Sequence, residues 1–272
     1  MADSCDECIK GSIHAGLPQG TEEQIHGLTT YITGNRTNPR GIIVMYSDIF
    51  GLALPNNKLI ADAYAKGGEW LVYLPDFFPG NPQSTFAKYT GLLAGVPAFL
   101  LWQRRHREEA TEEVCVGFLQ RLRRDTPREM KIGIVGFCWG GKYVVRAGLE
   151  RNVIEIQIDG DGGNAKVPLV DAVVALHPSH LAIPADVETL VVPTAFGWGV
   201  EDSFVDFKLK AAVEDVHAGA KQAGRQVPEI EHKEYRPGRH GFAVRGNPDD
   251  PLERTCLKDS VTQVLDWFGR WL

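Results

Sequence analysis

The chain has 272 residues, and 43% of them are hydrophobic, which suits one large α/β domain with a sizeable core. The formal net charge of −6 argues against a nucleic-acid partner, because a phosphate backbone attracts a basic surface. The sequence has no apolar run of membrane-spanning length, no secretory signal and no disulfide framework among its five cysteines, so we expect a reduced, cytoplasmic protein without a membrane partner.

Apolar runs bounded by Gly, Pro and polar residues predict strands that alternate with helices. The predicted strands span residues 27–32, 41–46, 70–74, 131–135, 172–176, 190–196 and 230–235. The predicted helices span residues 57–66, 107–124, 142–149, 205–218 and 252–271, and irregular segments are predicted at 79–97 and 160–163. This alternation is typical of α/β proteins with a mostly parallel sheet covered by helices on both faces, in which ligands bind beyond the carboxyl ends of the strands.

The sequence contains no repeat, low-complexity linker or composition break, so a single domain is predicted over residues 25–272. Residues 1–24 are predicted to form an N-terminal arm packed on that domain. Cys5 and Cys8 form a C-x-x-C pair, but no second ligand pair follows at the spacing of a zinc site. We therefore predict no metal site.

The segment Gly136-Phe137-Cys138-Trp139-Gly140-Gly141 lies between the predicted strand 131–135 and the predicted helix 142–149. This order is typical of a nucleophile elbow, in which small residues two before and two after the nucleophile let strand and helix cross closely. Ser usually occupies the central position, where this chain has Cys138. A thiol fits the same geometry and is more nucleophilic once ionised, so the motif predicts Cys138 as a nucleophile.

Two other interpretations of this segment stay open at this point. Cys138 could be a buried structural cysteine, since free Cys is among the most buried residue types. Alternatively, Gly136, Gly141 and Lys142 match the phosphate-loop pattern G-x-x-x-x-G-K. However, Tyr143 stands where that motif needs a Ser or Thr to hold Mg²⁺, which disfavours nucleotide binding.

A thiol nucleophile needs a base, and the base needs an acid that orients it. In elbow-bearing folds the chain order is nucleophile, acid and His, each on a loop after a strand. Asp202 follows the predicted strand 190–196, and His240 follows the predicted strand 230–235. The order Cys138, Asp202, His240 therefore predicts a Cys-His-Asp triad.

Other residues compete for these roles. His177 also follows a strand but precedes Asp202, so we interpret it as a residue of the pocket wall or the structure. Asp206 is a weaker candidate for the acid, because it falls within a predicted helix. Asp202 itself could serve only as a helix cap.

Four segments resemble the dienelactone hydrolase family of α/β hydrolases, and the resemblance runs from about residue 25 to the C-terminus. They are residues 47–51 (Ser-Asp-Ile-Phe-Gly), the elbow 136–141, 199–202 (Gly-Val-Glu-Asp) and 240–243 (His-Gly-Phe-Ala). The N-terminal arm, with Cys5, His14, Gly16 and Pro18, is most similar to fungal members of the family, which often act in secondary-metabolite pathways.

The resemblance implies an α/β-hydrolase fold without a large lid domain, and hydrolysis of an ester or lactone without a metal or other cofactor. The thiolate of Cys138 would attack the carbonyl and form a thioester, which water activated by His240 would hydrolyse. The backbone N–H groups of Ile49 and Trp139 would form the oxyanion hole.

The sequence departs from the best-known bacterial pattern where thiol activation and substrate recognition are concerned. Asp48 stands where that pattern has a Glu that contacts the resting thiol and switches when substrate arrives; the alternative for Asp48 is a loop cap. In the bacterial pattern, an arginine that follows the catalytic His binds the substrate carboxylate. Arg245 lies one residue further past His240 than that arginine lies past its His. An arginine-bearing segment in the middle of the chain has no clear match. These departures leave the identity of the substrate open.

Trp198 and Phe242 flank the triad in sequence, as do Trp139 and Phe204. We expect most of these aromatic residues to form wall and core, and together they indicate a pocket for a flat or conjugated substrate. The expected partner is a small-molecule ester or lactone from polyketide biosynthesis or aromatic degradation, handled by a monomer or homodimer. The alternative is a non-hydrolytic binding or assisting protein of a biosynthetic pathway on the same fold, because triad residues alone do not measure turnover.

Overall fold

The structure, a computed structural model, describes residues 11–78, 107–157, 163–206 and 208–272. Within these ranges the strands are β1 (Thr21–Ile25), β2 (Leu28–Gly34), β3 (Ile42–Tyr46), β4 (Leu71–Pro75), β5 (Ile132–Phe137), β6 (Val153–Gln157), β7 (Asn164–Pro168), β8 (Ala172–Leu176), β9 (Thr194–Gly199) and β10 (Ile230–Tyr235). The helices are α1 (Pro55–Lys66), α2 (Glu108–Asp125), α3 (Trp139–Ala147), α4 (Lys208–Gln222), α5 (Phe242–Arg245) and α6 (Pro251–Trp271).

Eight of these strands form one sheet in the order β1-β2-β4-β3-β5-β8-β9-β10. The strands from β4 to β10 in that order are parallel, whereas β2 is antiparallel to both of its neighbours. This sheet confirms the predicted fold class, a mostly parallel α/β-hydrolase sheet with helices and no large separate domain. The carboxyl ends of the parallel strands share one edge, so the loops after β3, β5, β8, β9 and β10 meet there.

The core lies in two layers, one on each face of the sheet. Helices α2, α3 and α4 cover one face, where Phe118, Val144 and Val213 are buried. Helices α1 and α6 cover the other face, where Tyr64 and Phe268 are buried. Because both faces are covered, strands β3, β5, β8 and β9 are buried along their whole length, as their continuous apolar runs predict.

Strand β5 and helix α3 cross closely at the turn that holds Cys138. A Cβ atom added to Gly136 would lie 2.5 Å from the Gly140 carbonyl oxygen, and one added to Gly140 would lie 2.4 Å from the Tyr46 carbonyl oxygen. Such distances are too short for any side chain, so the crossing requires glycine at both positions. Cys138, between them, has φ of 52° and ψ of −114°, a strained conformation for a residue other than glycine.

Lys142 and Arg146 of α3 face helix α2, where Glu108 accepts hydrogen bonds from both. The Lys142 Nζ lies 2.7 Å from a Glu108 carboxylate oxygen, and Arg146 also pairs with Glu112 and the buried Asp186. The side chain of Lys142 thus joins two helices. This arrangement removes the support for the phosphate-loop interpretation.

The strand predicted at 190–196 is shifted, because β9 begins at Thr194 and continues to Gly199. Pro193, which has no N–H to donate, directly precedes the strand, and pairing with β8 begins at Thr194. The apolar residues before it serve another purpose: Leu190 forms an isolated bridge to Leu149, and Val192 is buried.

Helix α4 begins three residues later than predicted, at Lys208. Asp206 lies before the helix, and its carboxylate accepts the Lys208 N–H at 2.9 Å. The predicted irregular segment 160–163 lies between β6 and β7, a hairpin that the sequence analysis missed; residues 158–162 and the whole predicted irregular segment 79–97 lie outside the described residues.

The N-terminal arm contributes more to the fold than predicted, because residues 21–25 form β1 at the edge of the sheet. Residues 12–14 pack on the domain through the buried Asn56, whose side-chain amide donates to the Ser12 and Val244 carbonyl oxygens and accepts the His14 N–H. The His14 ring also bonds to the Gly246 carbonyl oxygen at 2.8 Å. None of the helices in the described ranges is both long and apolar enough to cross a membrane.

The elbow crossing yields a stability prediction. Gly140→Ala should destabilise the protein by about 1–3 kcal/mol, because the methyl group collides with the backbone of β3 and cannot be accommodated by rotating a side chain. The matched control is Gly219→Ala in α4, where an added Cβ meets nothing within 4 Å; this variant should be more stable by about 0.5–1 kcal/mol. Urea unfolding followed by circular dichroism measures the free energy of unfolding of both variants. An equal change in the two variants would show that the crossing tolerates a side chain.

Candidate active site

The loops at the carboxyl edge of the sheet bring together the side chains that the sequence analysis singled out. Cys138 follows β5, His177 follows β8, Asp202 follows β9 and His240 follows β10. Asp48 follows β3, which lies next to β5 on the side opposite to β8. Because β5 is flanked by β3 and β8, the turn at Cys138 lies between the loops that carry Asp48 and His177.

Cys138, His240 and Asp202 form a continuous hydrogen-bonded chain. The Cys138 Sγ lies 3.0 Å from His240 Nε2, and His240 Nδ1 lies 2.9 Å from Asp202 Oδ2. All three residues are buried. Since the carboxylate holds the proton on Nδ1, Nε2 of the neutral ring is the atom that accepts a proton from the thiol.

The turn after β9 fixes the position of Asp202. Its Oδ1 accepts the backbone N–H groups of Phe204 at 3.0 Å and Val205 at 2.9 Å, which leaves Oδ2 for His240. Asp202 is therefore a cap and a partner of the imidazole at once. The Phe204 ring packs on the His240 ring, with 4.9 Å between their centroids.

The charges around His240 favour its protonated form. Burial alone would lower the pKa of His240, but the negative charge of Cys138 and the hydrogen bonds to Asp202 and Cys138 raise this pKa to about 10. The site therefore places a protonated ring 3.0 Å from the Cys138 sulfur, a setting that stabilises negative charge on a sulfur atom.

The His177 ring contacts the backbone of Cys138. The Cys138 N–H donates to His177 Nδ1 at 3.1 Å and to the Leu176 carbonyl oxygen at 3.2 Å. Burial, with smaller contributions from the charges of His240 and Arg245, holds the pKa of His177 well below its ordinary value. The ring is thus neutral with its proton on Nε2, which leaves Nδ1 free to accept.

Ser179 also contacts Cys138, and the sequence analysis missed it. Its N–H donates to the Cys138 carbonyl oxygen at 3.0 Å, and its Oγ lies 3.7 Å from the Cys138 Sγ. The signal that could have found it is topological: β8 pairs with β5, so the residues just after β8 must lie beside the elbow.

Asp48 pairs with Arg245 rather than with the thiol in the described part of the chain. Its Oδ2 lies 3.1 Å from Arg245 Nε, while Oδ1 accepts hydrogen bonds from the Phe50 N–H at 3.3 Å and from the Asn57 amide at 3.1 Å. The Arg245 guanidinium also lies over the Phe50 ring. Asp48 therefore caps its loop and neutralises a buried cation.

The predicted oxyanion-hole residues flank the elbow. Trp139 is the first residue of α3, where backbone N–H groups lack partners within the helix, and Ile49 lies in the loop after β3 next to Asp48. The Trp139 ring packs on Tyr143 and Phe78, each with 4.5 Å between ring centroids. These rings form an aromatic cluster next to the elbow, in which Phe78 and Tyr143 are buried and Trp139 is half-buried.

The other two predicted aromatic residues differ in position. Phe242 packs on the His177 ring with 5.2 Å between centroids and stacks on Tyr235. Trp198, predicted to bind substrate, lies in the core within β9, where it stacks on Phe196 and donates its indole N–H to His232. Trp198 belongs to the same buried cluster as Cys138, but its ring contacts are with Phe196 and His232, so its predicted role in substrate binding has no support in these contacts.

A cavity of about 370 Å³ lies beside the loop that carries His240. Its lining includes Gly11, Glu201, Arg239, His240, Phe242 and Arg245. The N-terminal arm and the charged side chains of two loops therefore border the site. No cluster of three His, Cys, Asp or Glu side chains that could hold a metal ion occurs in the described ranges.

The model of the dienelactone hydrolase family matches residues 28–155. Relatives are similar along nearly the whole chain. "Hydrolase pyvD" of Aspergillus violaceofuscus is 28% identical over 268 residues, covering 97% of this chain and 96% of the relative. "Dienlactone hydrolase 1" of Gibberella moniliformis is 27% identical and covers 100% of this chain and 94% of its own. A mouse "Carboxymethylenebutenolidase homolog" is 24% identical, with 93% and 91% covered.

Solved structures share the fold. A candidate dienelactone hydrolase from Klebsiella pneumoniae superposes with a TM-score of 0.68 at 16% identity, covering 93% of this chain and 99% of its own. A dienelactone hydrolase from Anabaena variabilis superposes with a TM-score of 0.58 at 18% identity over the same shares. The family match, the full-length relatives and the shared fold agree: the chain is similar to dienelactone hydrolases and is an ester or lactone hydrolase.

Proposed function

We propose that this hydrolase works through a Cys-His-Asp triad, with Cys138 as nucleophile, His240 as base and Asp202 as the acid that orients the base. The observation that carries the proposal is the unbroken hydrogen-bonded chain from the Cys138 sulfur through the His240 ring to Asp202. The strained backbone of Cys138 supports it, because strain of this kind persists where the surrounding structure holds a functional side chain in place.

In the first step, the Cys138 thiolate forms a bond to the carbonyl carbon of the ester or lactone. The carbonyl oxygen gains the negative charge, and the backbone N–H groups of Trp139 and Ile49 are the proposed donors to it. When the tetrahedral intermediate collapses, the bond to the alkoxy oxygen breaks and the His240 imidazolium gives its proton to that oxygen. The products of the step are an alcohol and a thioester on Cys138.

In the second step, water hydrolyses the thioester. The acylated sulfur has no charge, so the main influence that raises the pKa of His240 disappears and the ring becomes a neutral base. His240 then takes a proton from the attacking water and keeps it while the sulfur leaves as a thiolate, which restores the starting pair. Asp202 keeps the ring in the required tautomer through both steps.

We assign Asp48 and Arg245 to the wall of the site. Their buried ion pair supports a role in shaping the loop that carries Ile49, since Asp48 caps that loop. The exchange of contacts with the thiol that the family resemblance implies for Asp48 gains no support from its present partners. His177 and Phe242 complete this wall through their contacts with Cys138 and with each other.

For the substrate we propose a small ester or lactone with a flat acyl group, from polyketide biosynthesis or aromatic degradation. The half-buried Trp139 ring, which Tyr143 and Phe78 hold in place, supports a flat acyl group. The resemblance of the arm to fungal members supports a biosynthetic source, and His14 of that arm is bound into the fold beside Gly246. Hydrolysis rates over a matched panel of aryl, alkyl and lactone substrates test this choice.

The nucleophile assignment predicts that Cys138→Ala lowers hydrolysis at least a thousandfold, because triad members act as a unit. Mixing the unmodified protein with an activated ester should add one acyl mass at Cys138, measured by intact mass and peptide mapping. Cys256→Ala is the matched control, since Cys256 is a buried thiol that lines the same cavity and donates to the Arg236 carbonyl oxygen away from His240.

These measurements also test the alternative of a non-hydrolytic binding protein. A binding protein would hold the ester without an acyl adduct and without release of alcohol. If folded Cys138→Ala hydrolyses esters as fast as the parent, Cys138 is not the nucleophile and the proposed mechanism fails.

The raised pKa of His240 predicts the pH dependence of Cys138 alkylation. The imidazolium is present below about pH 10 and is lost as the pH rises through about 10, so at neutral pH a positive charge lies beside the Cys138 sulfur. Iodoacetamide should therefore label Cys138 at pH 6 more than tenfold faster in the parent than in His240→Asn, which has no imidazolium beside the sulfur.

The control for this comparison is His217→Asn, because His217 is equally buried but bonds to the Val187 carbonyl oxygen away from the elbow. Its profile should match that of the parent. Equal labelling of parent and His240→Asn at pH 6 would mean that His240 does not support the thiolate.

A further inference from the structure

The segment 177–179 holds Cys138 at three of its atoms. The Cys138 N–H donates to His177 Nδ1, the Cys138 carbonyl oxygen accepts the Ser179 N–H, and the Cys138 sulfur lies 3.7 Å from Ser179 Oγ. The segment is itself anchored to β9, since the His177 N–H donates to the Gly197 carbonyl oxygen at 2.8 Å. Ser179 is 1% exposed, so its hydroxyl is kept beside the sulfur without competition from bulk water.

The hydrogen bonds of His240 decide which atom donates between Ser179 and Cys138. Asp202 holds a proton on His240 Nδ1, so the single proton shared by Cys138 and His240 lies between Sγ and Nε2, 3.0 Å apart. If that proton is on the sulfur it points to Nε2, and if it is on Nε2 the sulfur is a thiolate. In both states the sulfur has only lone pairs to offer in the other direction, and the Ser179 hydroxyl must be the donor.

We propose that Ser179 is a further catalytic residue, whose hydroxyl donates a hydrogen bond to the Cys138 sulfur and stabilises the resting thiolate. The proposal rests on the proposed role of Cys138 as nucleophile and adds a second donor to the one that His240 provides. Hydrogen bonds to charged acceptors are stronger than those to neutral ones, so this bond favours the thiolate over the thiol.

The effect of this bond is confined to one stage of the reaction. Once the sulfur is bonded to the acyl carbon it carries no charge and accepts hydrogen bonds weakly, so the Ser179 hydroxyl no longer stabilises it. The bond thus raises the amount of thiolate and lowers the reactivity of each thiolate. These two consequences have opposite signs in a labelling experiment and can be separated by pH.

Titratable and charged groups near Ser179 and Cys138 also affect how labelling depends on pH. His240 and Asp202 act through the triad, and burial lowers the pKa values of His177 and His180, which disfavours the charged form of both rings. The charged groups nearest to them on other elements are Arg245, Asp48, Lys142 and Glu108. None of these is altered by a change at Ser179, so a shift between variants reports on the hydroxyl.

The test is the rate of iodoacetamide labelling of Cys138 from pH 4 to 10, read by peptide mass, in the parent and in Ser179→Ala. The pH at which labelling rises to half its plateau should move up by about one unit, which corresponds to a tenfold loss of thiolate stabilisation. The plateau at high pH should be about threefold higher than in the parent, because a less stabilised thiolate is more nucleophilic.

Two variants control this result. Ser179→Thr keeps the hydroxyl and should keep the parent midpoint. Ser260→Ala removes an equally buried hydroxyl that bonds to the Leu257 carbonyl oxygen in α6, and should leave the whole profile unchanged. If Ser179→Ala does not fold, Ser179→Gly makes the same comparison.

A profile of Ser179→Ala that superimposes on the parent, or that is lower at every pH with an unchanged midpoint, would overturn the proposal. The second pattern would mean that Ser179 only holds the backbone of the elbow. Failure of the nucleophile assignment looks different: Cys138 of the parent would then label no faster than Cys115 or Cys256, whatever the variant at position 179.

Discussion

The crossing of β5 and α3 at Gly136 and Gly140 is the constraint on which the rest of the site depends. Because neither position has room for a Cβ atom, the strand can turn directly into the helix, and Cys138 is held at a φ of 52° between them. The cost of this conformation is offset by the surrounding contacts, which satisfy both backbone groups of Cys138. The sulfur is thereby fixed before substrate arrives, and the neighbouring loops need only to present the correct groups to it.

Much of the architecture could be predicted from local signals in the sequence. The continuous apolar runs that became β3, β5 and β8 were unambiguous, because a strand buried on both faces needs apolar side chains throughout. The apolar run at 190–192 was wrongly predicted to be part of a strand. Its residues pack beside Leu149, and the strand begins after Pro193. Sequence periodicity detects burial, and it does not distinguish a strand from a buried loop.

The candidate site could also be predicted only in part. The order of Cys138, Asp202 and His240 could be predicted, because each chemical role demands a particular residue type on a loop after a strand. The positions of Ser179, Asp48 and Arg245 could not, because a Ser, Asp or Arg suits many environments and only the packed structure decides its partner. Trp198 illustrates the same limit, since its position in the core depends on which way a single strand is turned.

Two buried arrangements with different electrostatic tasks lie side by side at this edge of the sheet. In one, the proposed mechanism moves a proton between His240 and Cys138, so that charge develops and disappears. In the other, Asp48 and Arg245 form a buried ion pair. Removing one member of such a buried pair leaves an uncompensated charge, which costs about 3–5 kcal/mol in comparable proteins. The permanent pair therefore gives the loop after β3 a fixed position next to a partner whose charge changes.

The contacts that complete the site join residues that are far apart along the chain. The hydrogen bond between His14 and Gly246 spans 232 residues, the Asp48–Arg245 pair spans 197, and the bond between Cys138 and His240 spans 102. During synthesis the arm, Asp48 and Cys138 leave the ribosome long before their partners exist. The site can therefore form only after nearly the whole chain has been released, and until then the newly made chain carries the Cys138 thiol without the His240 ring beside it.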